Sequence, residues 1–301
     1  MDLAHGDLVL NGGLYAAYRS QLLDVTETNA ASQTPYTVNT STTAATGNNG
    51  LQYRGAWEFV PDLWFQALWR TFRFEAEFAS TWGQINNSPA VAYNPQNPTS
   101  VLIREYGLTT QTEFKAIEDK LHLNFGFGWA SGDPWATSLN PTSSPQLLLK
   151  EGNQYGPLST FAFHPDYRVD LIFFRQILTR VEGAYYFRPS VDYDFLRQPN
   201  GQKFGGGGAV IWSRASEFEQ TPGKKRDLGV ELDLQLYYNA ADGTLNDDPS
   251  KLGGFYTMLQ YGVFFPLGGL SYLPGEQAQA PGINFDLSTA QTVRLFLGVI
   301  F

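Results

Sequence analysis

The feature that most constrains this chain is a period of two sustained over unusual lengths. Residues 71–82 show it most cleanly, with Phe72, Phe74, Ala76, Phe78 and Trp82 on one parity and Arg73, Glu75 and Glu77 on the other. Wound as a helix, these residues would scatter aromatics and charges around the cylinder; extended, they separate onto two faces. The same separation returns at residues 53–69, 102–116, 121–130, 161–173, 181–195, 228–238, 255–265 and 292–301, with weaker forms at 7–25 and in the glycine-rich 204–213. The tally is about eleven strands of roughly 10 to 17 residues, where strands of ordinary globular domains average about 5 to 6.

Length then selects an environment. A tilted strand needs about 9 to 11 residues to cross the hydrocarbon core of a bilayer, and these segments are long enough. In lipid every unpaired edge N–H or C=O costs several kcal/mol, so a spanning sheet must close on itself. Composition agrees: 15% of the 301 residues are aromatic, yet mean hydropathy is −0.26. No apolar run reaches the roughly 18 residues of a spanning helix, which excludes a helical membrane protein. Aromatic-rich but polar on average is what a strand-built membrane protein gives, because half of its strand residues face a watery interior. The absence of cysteine fits passage through an oxidising periplasm, and a net charge of −9 argues against nucleic acid as a partner.

The predicted fold is all-β: a single-domain transmembrane antiparallel up-and-down β-barrel over residues 1–301, of about 12 strands (range about 10 to 14), since single-chain barrels usually have an even number. Long loops are expected on one side, at 26–50, 86–100, 131–157 and 267–286, where Thr, Ser, Asn, Gly and Pro replace the periodicity. Pro61, inside one alternating run, predicts a bulge, turn or edge. Gly205 to Gly208 predict a flexible strand or a close backbone approach. No basic and apolar leader precedes the first strand, so the chain is expected to be a mature form or part of a longer one.

The last run carries Val293, Leu295, Leu297, Val299 and Phe301 on one face, against Thr292, Arg294, Phe296, Gly298 and Ile300. This segment resembles the end of bacterial outer-membrane β-barrels, where the apolar row and terminal Phe are read by the barrel-assembly machinery. The resemblance implies an outer-membrane location, with the lipid bilayer, the assembly machinery and envelope proteins as partners. The words Val60-Pro61-Asp62-Leu63-Trp64, Phe163-His164-Pro165-Asp166-Tyr167-Arg168-Val169-Asp170-Leu171 and Tyr261-Gly262-Val263-Phe264-Phe265-Pro266-Leu267 resemble an uncharacterised family of myxobacterial-type outer-membrane proteins. That likeness implies further strands before residue 1, and hence that the chain is the C-terminal part of a larger barrel. A looser similarity, to alginate-export-type barrels, rests on charged interior strands alone.

On these strands the interior would be lined by Arg73, Glu75, Glu77, Asp166, Arg168, Asp170, Arg188, Asp192, Asp194, Glu231 and Asp233. Such charges either set selectivity as a ring or pair across strands and stiffen a narrow lumen. Acids outnumber bases among them, which predicts a preference for cations or neutral solutes. Trp57, Trp69, Trp82, Trp129, Tyr193, Trp212 and Tyr238, near strand ends, read as an interface girdle, or else as a sugar-stacking path. Nothing points to catalysis: His5, His122 and His164 stand in no nucleophile-centred motif, and no His or Cys spacing suits a metal. Gly205 to Gly208 lack the Lys-Ser/Thr of a phosphate loop. Asn246-Asp247-Asp248 reads as a solvated turn before a calcium site. No catalytic residue, cofactor or metal is assigned. The expected function is a porin-like channel for passive passage of ions or small polar solutes; the alternative is a structural or assembly barrel, or the outer-membrane component of an export or surface machine, with a closed lumen.

Overall fold

The computed structural model describes residues 6–25, 37–39, 50–86, 100–134, 149–150, 154–241, 254–271 and 287–300. Its strands, in chain order, are β1 (Leu8–Val25), β2 (Thr37–Asn39), β3 (Gly50–Trp69), β4 (Phe72–Ile85), β5 (Val101–Ala116), β6 (Leu121–Ala130), β7 (Leu149–Lys150), β8 (Gln154–Tyr155), β9 (Ala184–Arg197), β10 (Lys203–Ala215), β11 (Asp227–Asn239), β12 (Gly254–Pro266) and β13 (Ala290–Ile300). The long strands form one up-and-down antiparallel sheet in the order β1-β3-β4-β5-β6-β9-β10-β11-β12-β13. The short β2 pairs in parallel with the start of β3, and β7 and β8 form a separate two-stranded piece. The path therefore holds ten long strands against the expected twelve, and its edges, β1 and β13, are not paired to each other.

The strand pattern decides the two faces. Register aligns Leu63 with Phe78, Phe78 with Leu108, Leu108 with Trp129 and Trp129 with Tyr185, so the apolar rows of β3, β4, β5, β6 and β9 lie side by side. Val210 with Leu232, Leu232 with Val263 and Tyr261 with Val293 continue that face across β10 to β13. Along its whole width it exposes large apolar side chains, from Leu14 and Leu63 to Leu234 and Leu297. The opposite parity carries the polar side chains, and we call it the inner face. Because neighbouring strands run antiparallel, connections 26–49, 86–100, 131–183, 216–226 and 267–289 leave from one end, and 70–71, 117–120, 198–202 and 240–253 from the other. Much of the long-connection sequence, together with Phe301 and Asn246-Asp247-Asp248, lies outside the described residues.

Pro61 makes neither bulge nor turn: the β1 register runs straight through it, and on the β4 side it only interrupts the ladder between Phe59–Trp82 and Asp62–Ala79, without a shift. The glycines of β10 answer to close approach. The Tyr237 ring and the Asp192 carboxylate occupy the space where side chains at Gly205 and Gly207 would stand.

The larger correction concerns residues 161–173, expected to be a strand with Phe161, Phe163, Tyr167, Val169, Leu171 and Phe173 facing outward. They form no strand. Between β6 and β9 the chain instead folds onto the inner face, passing through bends and a π-helical turn at Phe173–Ile177. Val169, Leu171, Ile172, Phe173, Phe174 and Val181 are buried there against Ala130, Tyr186, Ala209, Ile211, Leu228 and Phe264 of the sheet. Val181, expected to face outward at the start of a strand, is fully buried, and β9 begins three residues later. This contact holds the main apolar core of the described residues.

Candidate functional site

The candidate site is the seam between this segment and strands β9 to β13. Glu231, on the inner face of β11, is 1% exposed, and its carboxylate accepts three backbone N–H groups of the segment. Leu171 and Ile172 donate to Oε1 at 3.0 and 2.8 Å, and Phe173 to Oε2 at 2.9 Å. Asp170 caps the π-helical turn from within the segment, taking Phe174 N–H at 2.9 Å and Arg175 N–H at 3.1 Å. Arg294, from β13, donates to the Leu171 carbonyl at 2.7 Å. The N–H groups that open a helical turn have no partner within it, and here buried carboxylates receive them.

Aromatic packing closes the seam. Phe173 stacks on Phe264 with ring centroids 4.8 Å apart at 10°, and Phe174 lies against Tyr186. Tyr167 ties the segment to both neighbours through its hydroxyl, 2.6 Å from Thr109 Oγ1 and 2.7 Å from the Tyr186 hydroxyl. Phe161 covers Gly107 of β5, where any side chain would collide, and Asp233 Oδ1 and Leu171 crowd Gly262 of β12. At its entry the segment is pinned by Ser131 Oγ donating to the Ser159 carbonyl at 2.6 Å and by Gln220 Nε2 donating to Thr160 Oγ1 at 2.8 Å. Burial and the neighbouring Glu231 charge push the Asp170 carboxyl up to about 7.

The charges expected to line the interior fall into separate groups. On β4, Arg73 pairs with Glu75 at 2.7 Å, and Gln66 also donates to Glu75. Glu113 of β5 lies 4.0 Å from Arg73, 3.8 Å from Lys115 and 3.0 Å from His122. Glu77 is exposed and has Asp62 as its acidic neighbour. Asp194 is fully buried, with Lys203 at 3.2 Å, Arg197 at 3.6 Å and the Tyr237 hydroxyl donating to it. Asp192 accepts from Gln235 Nε2 at 2.7 Å. Asp166 is exposed beside His164 and Arg168, each at 3.6 Å. Asp166, Arg168 and Asp170 thus belong to the inward segment and not to a strand, and Arg188 and Asp233 face it from β9 and β11.

Sequence reasoning named Glu231 among the interior charges and gave it no partner, because its partners are backbone groups about sixty residues away in the chain. Phe264, Tyr186 and Gln220 were not singled out. The first two could have been found as bulky rings on the inward parity of their strands. Among the described residues no group of three or more His, Cys, Asp or Glu side chains could hold a metal ion, and no helix is long and apolar enough to cross a membrane. Comparison with protein-family models gives no match, and comparison with curated proteins gives none either.

Proposed function

We propose that the protein is a transmembrane β-barrel of a Gram-negative outer membrane with an internally packed lumen, and that it serves as a structural or assembly component of the envelope. The observation that carries this reading is the buried inward segment, tethered by the three amides on Glu231 and wedged by Phe173 and Phe174. A segment held by buried carboxylates and stacked aromatics is part of the fold, where a passive pore wants a continuous water column.

Support for a membrane comes from the outer face. Trp57 and Trp69 of β3 bracket Phe59, Leu63 and Phe65, all exposed. The twelve steps between them at about 3.4 Å each, tilted by about 45°, project to about 29 Å across the bilayer. On β9 the eight steps from Tyr185 to Tyr193 project to about 19 Å by the same geometry, so the two brackets straddle the roughly 25 Å apolar band of such barrels. A sheet with an apolar face this wide is covered by lipid or by a second layer, and the described residues supply no second layer. Closure would pair β1 with β13. With ten strands in the up-and-down path these edges run antiparallel, as a closing pair must. Val293, Leu295, Leu297 and Val299 face outward and are exposed, which suits the lipid and assembly-machinery roles assigned to that strand.

A second reading, the channel with cation or neutral preference, is favoured by one observation. The segment packs over β5 to β13, while Glu77 on β4 is exposed beside Asp62. The test is single-channel conductance of refolded protein in a planar bilayer under a salt gradient. Insertion without conductance is the expected result. Stable cation-preferring steps would replace the packed-lumen reading with a pore on the β1–β3–β4 side, and failure to insert would refute both.

A further inference from the structure

Three carboxyl groups from two elements meet at the seam. Asp170 of the inward segment and Glu231 of β11 are buried, and Asp233, two residues along the same face of β11, is joined to Glu231 by a carboxyl–carboxyl hydrogen bond. Among the described residues no Lys, Arg or His forms an ion pair with any of the three. Arg294 of β13 donates to the Leu171 carbonyl instead. Within the segment, Arg168 turns to Asp166 at the exposed edge, and Arg175 faces Arg294 and Arg168 as well as Asp170. On β9, Arg188 is half-buried and acts on Asp170 and Asp233 only from a distance, while Asp192 is engaged by Gln235. From β10 and β12 the seam receives the apolar Ala209, Ile211 and Phe264, with Gln260 beyond them.

Protons are therefore what balances the seam. A hydrogen bond between two carboxyl groups needs one proton between them. Both Glu231 oxygens already accept amide hydrogens, so Asp233 is the donor. Burial, and then the Glu231 charge, raise the Asp170 carboxyl to about 7. Its folded value lies above the unfolded one, so docking takes up a proton and weakens as pH rises through about 7. Like charges held this close in an apolar seam disfavour one another. A cavity of about 170 Å³ opens between Arg168, Asp170, Arg188 and Asp233, and gives the departing protons a route to water.

We propose that Asp170, Glu231 and Asp233 form a proton-operated latch: with its protons in place the inward segment stays docked, and when they leave, three like charges in one seam release it and open the lumen. Ionisation of Asp233 turns the donor facing Glu231 into another acceptor. Ionised Asp170 then repels the same carboxylates that hold the amides of Leu171, Ile172 and Phe173. Because one π-helical turn carries both sets of contacts, it leaves the sheet as a unit. The opening of the lumen rests on the packed-barrel reading; the release of the segment does not.

The experiment is hydrogen exchange read by mass spectrometry on the refolded full chain in detergent at pH 6 and pH 9, corrected for intrinsic rates, beside single-channel conductance at both values. Peptides covering 168–178 should exchange about tenfold faster or more at pH 9 while peptides covering 72–82 of β4 hold steady, the signature of a local opening. Conductance, absent at pH 6, should appear at pH 9. Asp233→Asn donates to Glu231 at every pH, and combined with Asp170→Asn it should remove the acceleration and keep the lumen shut at pH 9. Should the double variant fail to refold, Asp233→Asn alone should still cut the acceleration severalfold. Exchange across 168–178 that is the same at both pH values, or that accelerates equally in the parent and Asp233→Asn, would overturn the latch and leave the packed lumen standing. Conductance already present at pH 6 would overturn the packed lumen and with it the opening step, while the exchange comparison still decides the release of the segment.

Discussion

Removing the Glu231 carboxylate should release the inward segment, and the size of the effect follows from its contacts. It accepts three amide hydrogens at 2.8 to 3.0 Å in a site 1% exposed. Hydrogen bonds to a charged group are worth about 1.5 to 3 kcal/mol each. Against this gross figure stands the relief of removing a buried charge that repels Asp170 and Asp233, which brings the net loss for Glu231→Ala to about 3 kcal/mol. Glu231→Gln keeps the shape and one acceptor oxygen, so Leu171 and Ile172 stay bonded while Phe173 faces an NH₂; one lost bond costs about 1 to 2 kcal/mol. Hydrogen exchange read by mass spectrometry on peptides covering 168–178 checks both values. With a tenfold change per 1.4 kcal/mol, the amides of Leu171, Ile172 and Phe173 should exchange about a hundredfold faster in Glu231→Ala and about tenfold faster in Glu231→Gln. Trypsin offers an independent readout, because Arg168, Arg175 and Arg180 all lie in or beside the segment. If exchange and cleavage there were the same in parent and Glu231→Ala, the carboxylate would not be what holds the segment, and the argument from it to a packed lumen would fail.

Docking of the segment should also depend on pH through Asp170, whose carboxyl is raised to about 7 by burial and then by the charge of Glu231. The folded value lies above the unfolded one, so the stabilising contribution is complete below about pH 4 and is lost as pH rises through about 7; exchange across 168–178, corrected for intrinsic rates, should be slower at pH 5.5 than at pH 8, and Asp170→Asn should flatten the difference. Gly107→Ala places a methyl group inside the Phe161 ring position and should destabilise by about 1 to 3 kcal/mol in urea unfolding, as overpacking does. Leu234→Arg, at an outward position 57% exposed, should cost about 2 to 4 kcal/mol for unfolding from liposomes if that face meets lipid, whereas a change within about 0.5 kcal/mol would mark it as water-facing. Ile117 holds φ at 54° in the β5–β6 turn and is 59% exposed, so Ile117→Gly should raise stability by about 1 kcal/mol, read as an upward shift of the unfolding midpoint.

The long strands were legible because an apolar row alternates with a more polar one over more than nine residues, most cleanly in β4, and register follows once the outer rows are aligned. Residues 161–173 mislead for the same reason: Phe161, Phe163, Tyr167, Val169 and Leu171 alternate with His164, Asp166, Arg168 and Asp170 as a strand would. The contrary signal is the run Leu171, Ile172, Phe173, Phe174, which is apolar on both parities and so wants burial on both sides, with Pro165 a few residues earlier breaking any ladder. The tether itself had no local mark, since a carboxylate that binds distant backbone amides looks in sequence like any inward acid.

The inward parity of the strands also divides the interior in two. On β3 and β4 it carries Glu58, Asp62, Gln66, Arg73, Glu75 and Glu77, side chains content in water, with Val60, Trp64 and Leu68 between them. On β10 and β12 the same parity carries Ala209, Ile211 and Phe264, all buried, which a wet lumen would penalise by about 1.5 to 3 kcal/mol for each large side chain. An apolar patch on an otherwise polar inner face must be met by apolar chain from elsewhere, and Leu171 to Phe174 are the only consecutive apolar residues in the β6–β9 connection among the described residues long enough to meet it. The packed half of the interior is therefore demanded by the strands as much as by the segment, and a substitution that makes Ile211 or Phe264 polar should loosen the segment as surely as one that removes Glu231.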